Sequence, residues 1–230
     1  MNRIKKTISQ SSDDCMVPNN GQEAITRTEY SGFQSAFDFF NAELFDGSLR
    51  ELLITLQRKA NSSGYFSPKR FAGRKESQII HEIALNPDGF ETESDEEICS
   101  TLVHEMCHCW QTAFGKPSRG RYHNREWADK MEAVGLMPSH DGKPGGRRTG
   151  QSMSDYIIEG GRFQKAYQKL AATGFELHWN SPRRSKERAP NSKTKFTCPE
   201  CTQNAWAKPD AALICGICQR PMQTPAGTSA

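Results

Sequence analysis

An α+β fold follows from three features of the 230-residue sequence: short β-branched or alternating runs between residues 52 and 86, a well-capped amphipathic segment over 91–115, and cysteines paired near the end. The runs predict a small three-stranded sheet packed on helices, and the paired cysteines predict a separate small module. The length accommodates both, a domain with its own core and an appended unit.

The elements follow in chain order. Residues 1–28 are polar, without apolar periodicity, and read as a disordered tail; Cys15 within it carries no reading. From Phe33, "FQSAFDFFNAELF" places Phe33, Phe37, Phe40 and Leu44 at helical spacing, and "FDGSL" supplies a glycine stop. "LLITLQ" (52–57), "GYF" (64–66) and "IIHEIALN" (79–86) read as strands separated by "NSSG" and "SPKRFAGRKES". "ETESDEEICSTLVHEMCHCWQTAFG" offers Ser94 as N-cap, Glu97 three residues on, acids in the first turn and Gly115 as the stop. "NREWADKMEAVGLMP" predicts another helix, capped by Asn124, with Trp127, Met131 and Val134 on one side and Gly135 and Pro138 ending it. Residues 29–138 thus form the expected core.

Residues 139–180 hold the Gly- and base-rich "SHDGKPGGRRTGQSMSDY", a short strand "YII", a helix "GRFQKAYQKLAATG" and a final alternating "FELHW", and their composition assigns them no role. Residues 181–196 include Arg183, Arg184, Lys186, Arg188, Lys193 and Lys195 against a single Glu187, a composition that cannot pack a core and reads as a basic linker. The cysteine module spans 197–220 and a polar tail 221–230. No apolar run approaches the roughly 18 residues of a membrane helix, and the N-terminus lacks an apolar segment behind its basic residues. The expected location is therefore intracellular and cytoplasmic, with no membrane partner.

"LVHEMCHCWQ" (102–111) carries two histidines four apart with a glutamate after the first. On a helix, His104 and His108 share one face and can offer imidazole nitrogens to a single tetrahedral metal, while Glu105 stands beside the pair, where its carboxylate reaches a water rather than the ion. Such a His-Glu-x-x-His spacing arises by chance in roughly one per cent of chains of this composition, so its surroundings must decide. Ile98, Leu102, Met106, Cys109 and Ala113 line one flank of the helix, and Cys99, Val103, Cys107 and Trp110 another. Histidines on a helix buried on two sides need partners, which a metal supplies. A third ligand is required for a catalytic site. His123, His140 and His178 are the downstream options, and His123 is chosen because the capped helix after it can swing it over the motif. His81, in a strand, reads as structural, and Tyr122 or Tyr156 are options for stabilising an oxyanion.

Cys198-x-x-Cys201 and Cys215-x-x-Cys218, thirteen residues apart, have the spacing by which two turns donate four thiolates to a structural zinc, with Pro199 and Gly216 inside the pairs where tight turns need them. This predicts a zinc ribbon whose folding depends on the metal. Cys99, Cys107 and Cys109 instead lie on the apolar flanks of the motif helix and read as small buried hydrophobes. The net charge of +3 is small, but bases gather at 116–125, 143–148 and 183–195. Phosphates are their natural partner, a solvated linker the alternative for the last run, and Trp179, Phe196 and Trp206 flank or follow it as stacking surfaces.

"LVHEMCHCWQ" followed by "GRYHNREWADKMEAVGL" resembles the active-site region of the SprT-like metalloproteases, the family that includes the DNA–protein crosslink protease Spartan. "GYFSP" and "HEIALNP" are similar to the strand pair preceding that family's motif helix, and the likeness covers roughly residues 33–137 plus the terminal module. The resemblance implies a minigluzincin-like core, a catalytic zinc held by His104, His108 and His123, and Glu105 as general base, beside the structural zinc that the cysteine spacing predicts. A protein substrate is expected with it, and the basic stretches add DNA as a partner, single-stranded DNA included, with association to the nucleoid if DNA is bound. The segment 138–180 departs from the Spartan pattern and is similar to a stretch in some uncharacterised bacterial SprT-like proteins. The expected function is a zinc metalloendopeptidase acting on DNA-associated proteins by zinc-activated water attack on a peptide bond. The alternatives are a protease without a DNA role and a non-catalytic zinc-containing DNA-binding protein.

Overall fold

The computed structural model describes residues 24–75, 77–181 and 193–224 and divides into two compact units, 1–182 and 183–230. The first unit is a mixed α+β domain. Helix α1 (Ile25–Phe45) leads to strands β1 (Leu53–Leu56), β2 (Gly64–Ala72) and β3 (Ile79–Leu85), then to helices α2 (Asp95–Phe114) and α3 (Arg125–Val134). A hairpin of β4 (Leu136–Ser139) and β5 (Ser154–Ile157) and a last helix α4 (Arg162–Ala171) complete it.

The three-stranded sheet has the order β1-β3-β2, with β1 parallel and β2 antiparallel to β3. Because side chains alternate along a strand, Ile54, Ile83 and Leu85 turn to the helices, where they are buried. They meet Phe33, Phe37, Phe40 and Leu44 of α1 and Leu102, Val103 and Met106 of α2, so the phenylalanine spacing read from the sequence is the core face of α1. Each such side chain contributes about 1.5–3 kcal/mol by leaving water. Phe163 of α4 stacks on Phe40 with ring centroids 5.5 Å apart, which closes the core from the far side.

Helix α2 starts as its sequence dictates. The Ser94 hydroxyl accepts from Glu97 N at 3.3 Å, and Ser94 N donates back to the Glu97 carboxylate at 2.7 Å. Asn124 Oδ1 accepts from Trp127 N at 3.1 Å and begins α3 in the same manner.

Several expected boundaries move. Helix α1 begins at Ile25, inside the stretch 1–28 expected as a tail, because its first turns have tertiary partners: Glu29 is buried and accepts from His178 N at 3.4 Å. Residues 1–23 lie outside the described residues. The left-handed residue that ends α1 is Asp46 (φ 56°), one position before the expected glycine. Strand β2 runs on to Ala72 instead of stopping at Phe66, through a register shift between Ser67 and Phe71 where Lys69 takes φ 55°. That bulge carries the strand past Pro68 at the sheet edge, where proline is tolerated. Strand β4 was hidden because Pro138 signals only a helix stop, yet it pairs with Asp155 opposite. "FELHW" pairs with no strand; Leu177 N donates instead to the Asp95 carboxylate at 3.0 Å.

In the second unit, β6 (Thr194–Thr197) and β7 (Asn204–Ala207) form an antiparallel hairpin. The hairpin begins inside the expected linker 181–196, since Phe196 is buried opposite Ala205. The module itself extends past residue 220, because Thr197 and Gln223 exchange backbone hydrogen bonds of 2.7 and 2.9 Å. Residues 182–192, with Arg183, Arg184, Lys186 and Arg188, lie outside the described residues, whereas Lys193 and Lys195 are exposed. Among the described residues no helix is long and apolar enough to cross a membrane.

Gly135 sits where α3 hands over to the β4–β5 hairpin. Its φ of 100° is left-handed, and a Cβ there would lie 2.5 Å from Phe163 N. Gly135→Ala combines a backbone penalty with a clash against the start of α4, so it should cost more than about 1 kcal/mol. The melting temperature should then fall by about 3 °C or more in a thermal scan.

Candidate metal centre

Three imidazoles converge above α2. The ligating nitrogens of His104, His108 and His123 all lie within 4.8 Å of one another. His104 and His108 come from successive turns of α2, and His123 from the residue before the Asn124 cap of α3. Trp127, fully buried one turn into α3, forms the floor. Its ring lies 4.9 Å from His104, 5.2 Å from His108 with the planes 17° apart, and 4.4 Å from His123.

Burial sets the charge of this cluster. It drives the His108 pKa down to about 2, helped by the neighbouring His104 and His123, and drives that of His123 down to about 4, helped by His104. Both rings are therefore neutral at neutral pH, the form that ligates metal. Burial also opposes charge on His104, but the hydrogen bond to Asp155 and the charges of Glu105 and Asp155 outweigh it and raise that pKa above its ordinary value. Glu105 is 6% exposed, and burial raises its carboxyl pKa against the opposing pull of His104 and the Phe66 backbone N–H. Its carboxylate is outside the histidine group, on the side facing β2. Gly64 permits that approach: a Cβ there would meet the Thr101 methyl at 3.0 Å and the Glu105 side chain at 3.4 Å.

A polar clasp fixes the start of α3 to the end of α2 and so sets His123 against its two partners. The buried Gln111 donates through Nε2 to Asn124 Oδ1 at 2.7 Å and to Glu126 Oε2 at 2.8 Å. Lys116 N donates to the same Glu126 oxygen at 2.7 Å, and Asn124 Nδ2 donates to Lys116 O at 3.0 Å. Gly115 ends α2 in an extended conformation that any residue adopts, so its freedom is not the reason for glycine. Proximity is the reason, because a Cβ would stand 2.5 Å from Glu126 Oε2.

In the second unit, the sulfurs of Cys198, Cys201, Cys215 and Cys218 also lie within 4.8 Å of one another, near the roughly 3.8 Å separations of a tetrahedral thiolate site. No disulfide joins them. The backbone N–H groups of Cys218 and Ile217 point at the Cys215 sulfur and lower its pKa to about 7, which favours the thiolate that a metal needs. Three neutral or carboxylate-supported imidazoles and four gathered thiols are both donor sets that suit zinc.

The remaining histidines are engaged elsewhere. His140 Nδ1 accepts from Arg147 N at 3.1 Å, His81 Nδ1 accepts from Lys69 N at 2.8 Å, and His178 faces Glu176 at 3.5 Å. Tyr122 is 45% exposed beside His123. Tyr156 follows Asp155 on β5 and so points away from the cluster that Asp155 faces, which removes it as an oxyanion donor there. Asp155, Gly64, Gln111 and Glu126 carry no signature in the sequence, since each acts through a contact with a distant element. Cys99, Cys107 and Cys109 are buried on the flanks of α2, and burial raises the thiol pKa of each, as inert core cysteines require.

The clasp has a pH signature. The Lys116 N–H, and after it the Gln111 side chain, hold the Glu126 carboxyl below its ordinary pKa. A depressed folded-state pKa contributes stability above the unfolded-state value, lost as pH falls through the folded-state value. Glu126→Gln should therefore melt lower than wild type at neutral pH and lose less on acidification; melting curves that shift in parallel across the acid range would exclude this role.

Residues 33–144 match the SprT-like family. A 58-residue stretch is 47% identical to an uncharacterised protein of the mucB 3′ region in Salmonella typhimurium, covering 25% of this chain and 78% of that protein. The family match over 33–144 includes the motif helix α2, the clasp and all three histidines of the cluster. The chain thus belongs to the SprT-like family, a family of metalloprotease-type domains.

Proposed function

We propose that the protein is a zinc-dependent endopeptidase that cleaves DNA-associated proteins, with one catalytic zinc at His104, His108 and His123 and one structural zinc at Cys198, Cys201, Cys215 and Cys218. The observation that carries the reading is the position of Glu105. Its buried carboxylate stands beside the three imidazoles without joining them, and a purely structural site with protein ligands has no use for such a group.

When bound, zinc supplies Lewis-acid polarisation of a peptide carbonyl and lowers the pKa of a water. The chain's own residues do the rest. Glu105 takes the proton from the attacking water on its carboxylate and returns it to the departing amine, and its raised pKa suits both transfers. Strand β2 is an edge of the sheet and passes beside Glu105, so its outer backbone groups can pair with an extended peptide and lay it across the site. Trp127 and the clasp hold the imidazoles in place, which spares the reaction that ordering cost.

The DNA part of the reading rests on charge and aromatic placement in the ribbon. Lys195 lies opposite Trp206 in the β6–β7 register, and Trp206 is 61% exposed. A cation beside an exposed indole suits a phosphate and an unstacked base of single-stranded DNA. Arg183, Arg184, Lys186, Arg188 and Lys193 would extend the phosphate contacts.

Glu105→Gln should retain zinc and lose about a hundredfold or more in cleavage of a DNA-binding protein, whereas His108→Ala should lose the metal at the histidine centre. Zinc analysis should find two ions per wild-type chain and one in His123→Ala; unchanged cleavage by the Glu105 variant would sink the mechanism. Single-stranded DNA should stimulate cleavage and bind more weakly as salt rises, and Trp206→Ala should weaken that binding by roughly tenfold. Cleavage indifferent to DNA would leave a protease without a DNA role.

A further inference from the structure

The hairpin after α3 reaches back to the metal centre. Both Gly150 and Asp155 lie beyond the residues matched to the family, 33–144, in the segment whose composition assigned it no role. Asp155 Oδ1 lies 2.8 Å from His104 Nδ1, and the two side chains are only 10% and 12% exposed. Five residues earlier, the Gly150 carbonyl lies 3.1 Å from His123 Nδ1. The same two residues exchange backbone hydrogen bonds, His123 N to Gly150 O at 2.8 Å and Gly150 N to His123 O at 3.1 Å.

The chemistry of these contacts is one-directional. A carboxylate and a carbonyl can only accept, so His104 and His123 must each carry their proton on Nδ1 and donate it. In the neutral ring, the form that ligates metal, Nε2 of each then carries the free lone pair. A buried carboxylate also costs free energy unless it is hydrogen-bonded, and His104 is the partner that the structure gives Asp155. The hairpin is itself held in register: Pro138 pairs with Asp155, and Ile158 N donates to Gly135 O at 3.1 Å. One short segment thereby fixes both the rotation and the tautomer of two histidines that come from different helices.

We infer that Gly150–Asp155 is a positioning element for the histidine metal centre, with Asp155 orienting His104 and the Gly150 carbonyl orienting His123 so that both present Nε2 to the ion. This inference rests on the metal reading given above. Asp155 acts through His104 and is a positioning residue.

The test uses the full chain and zinc competition against a chelator of known affinity, with the four-cysteine centre as internal reference. Asp155→Ala should weaken zinc at the histidine centre by about 10–100-fold and leave the cysteine-bound ion untouched. Asp155→Asn keeps the shape and an accepting oxygen but not the charge, and should fall between wild type and alanine. Nitrogen-15 NMR of the zinc-loaded protein gives a second readout. Wild type should show a His104 Nδ1–H proton far downfield, moved upfield in the asparagine variant and lost to exchange in the alanine variant. Alanine-variant affinity within twofold of wild type, or an unchanged His104 Nδ1–H signal, would overturn the inference. Should Asp155→Ala fail to fold, Asp155→Asn decides alone: unchanged affinity with an unmoved resonance overturns it. Wild-type protein that takes zinc only at its cysteines would overturn the metal reading, and this inference with it, before any variant is compared.

Discussion

Burial of α2 is the constraint on which the rest of the domain depends. The helix is covered on one flank by α1 and the sheet and on another by α3, so its third stripe, with His104 and His108, has no access to bulk water on most sides. Low polarity discourages charge on His108 and His123 and leaves both rings as neutral ligands. It also raises the proton affinity of Glu105, whose carboxyl is buried beside them. Packing and chemistry are therefore one requirement: a more open α2 would be an ordinary polar helix with protonatable histidines.

Position is supplied by polar contacts at the edges of that buried zone. The Gln111–Asn124–Glu126 clasp joins the end of α2 to the start of α3 and sets the distance from His123 to the other two rings. Trp127 fills the space beneath all three, with its ring 4.4–5.2 Å from each. The β4–β5 hairpin then holds His104 and His123 from above. Gly64, Gly115 and Gly135 stand at close approaches around this zone, where a Cβ would crowd a neighbouring element.

The ribbon follows a different principle. The unit buries Phe196, Cys198 and Cys215, while Trp206, Ile214 and Ile217 remain exposed. So little apolar burial cannot offset the entropy of ordering the chain, and four gathered thiols are the compensating feature. In the larger unit an apolar core holds the three histidines in place; in the second unit the four thiols gather with little core around them.

The sequence by itself determined what local chemistry determines. The capping box at Ser94, the cap at Asn124, the phenylalanine spacing of α1, the His104–His108 pair with Glu105 and the paired cysteines are all short-range patterns, set by helix and turn geometry that needs no distant partner. His123 could be favoured over His140 and His178 only because the Asn124 cap and Trp127 follow it at once. What the tertiary structure alone decided are contacts between residues far apart in the chain. Asp155 meets His104 across 51 positions, Gly150 meets His123 across 27, and Gln111 meets Glu126 across 15. A lone aspartate in a strand or a glycine before a turn has the same local appearance whether or not a histidine lies opposite. The extension of β2 past Pro68 and the pairing of Pro138 in β4 were hidden for the same reason. Each opposes local propensity, and it is the partner strand, through pairing and burial, that outweighs the local signal.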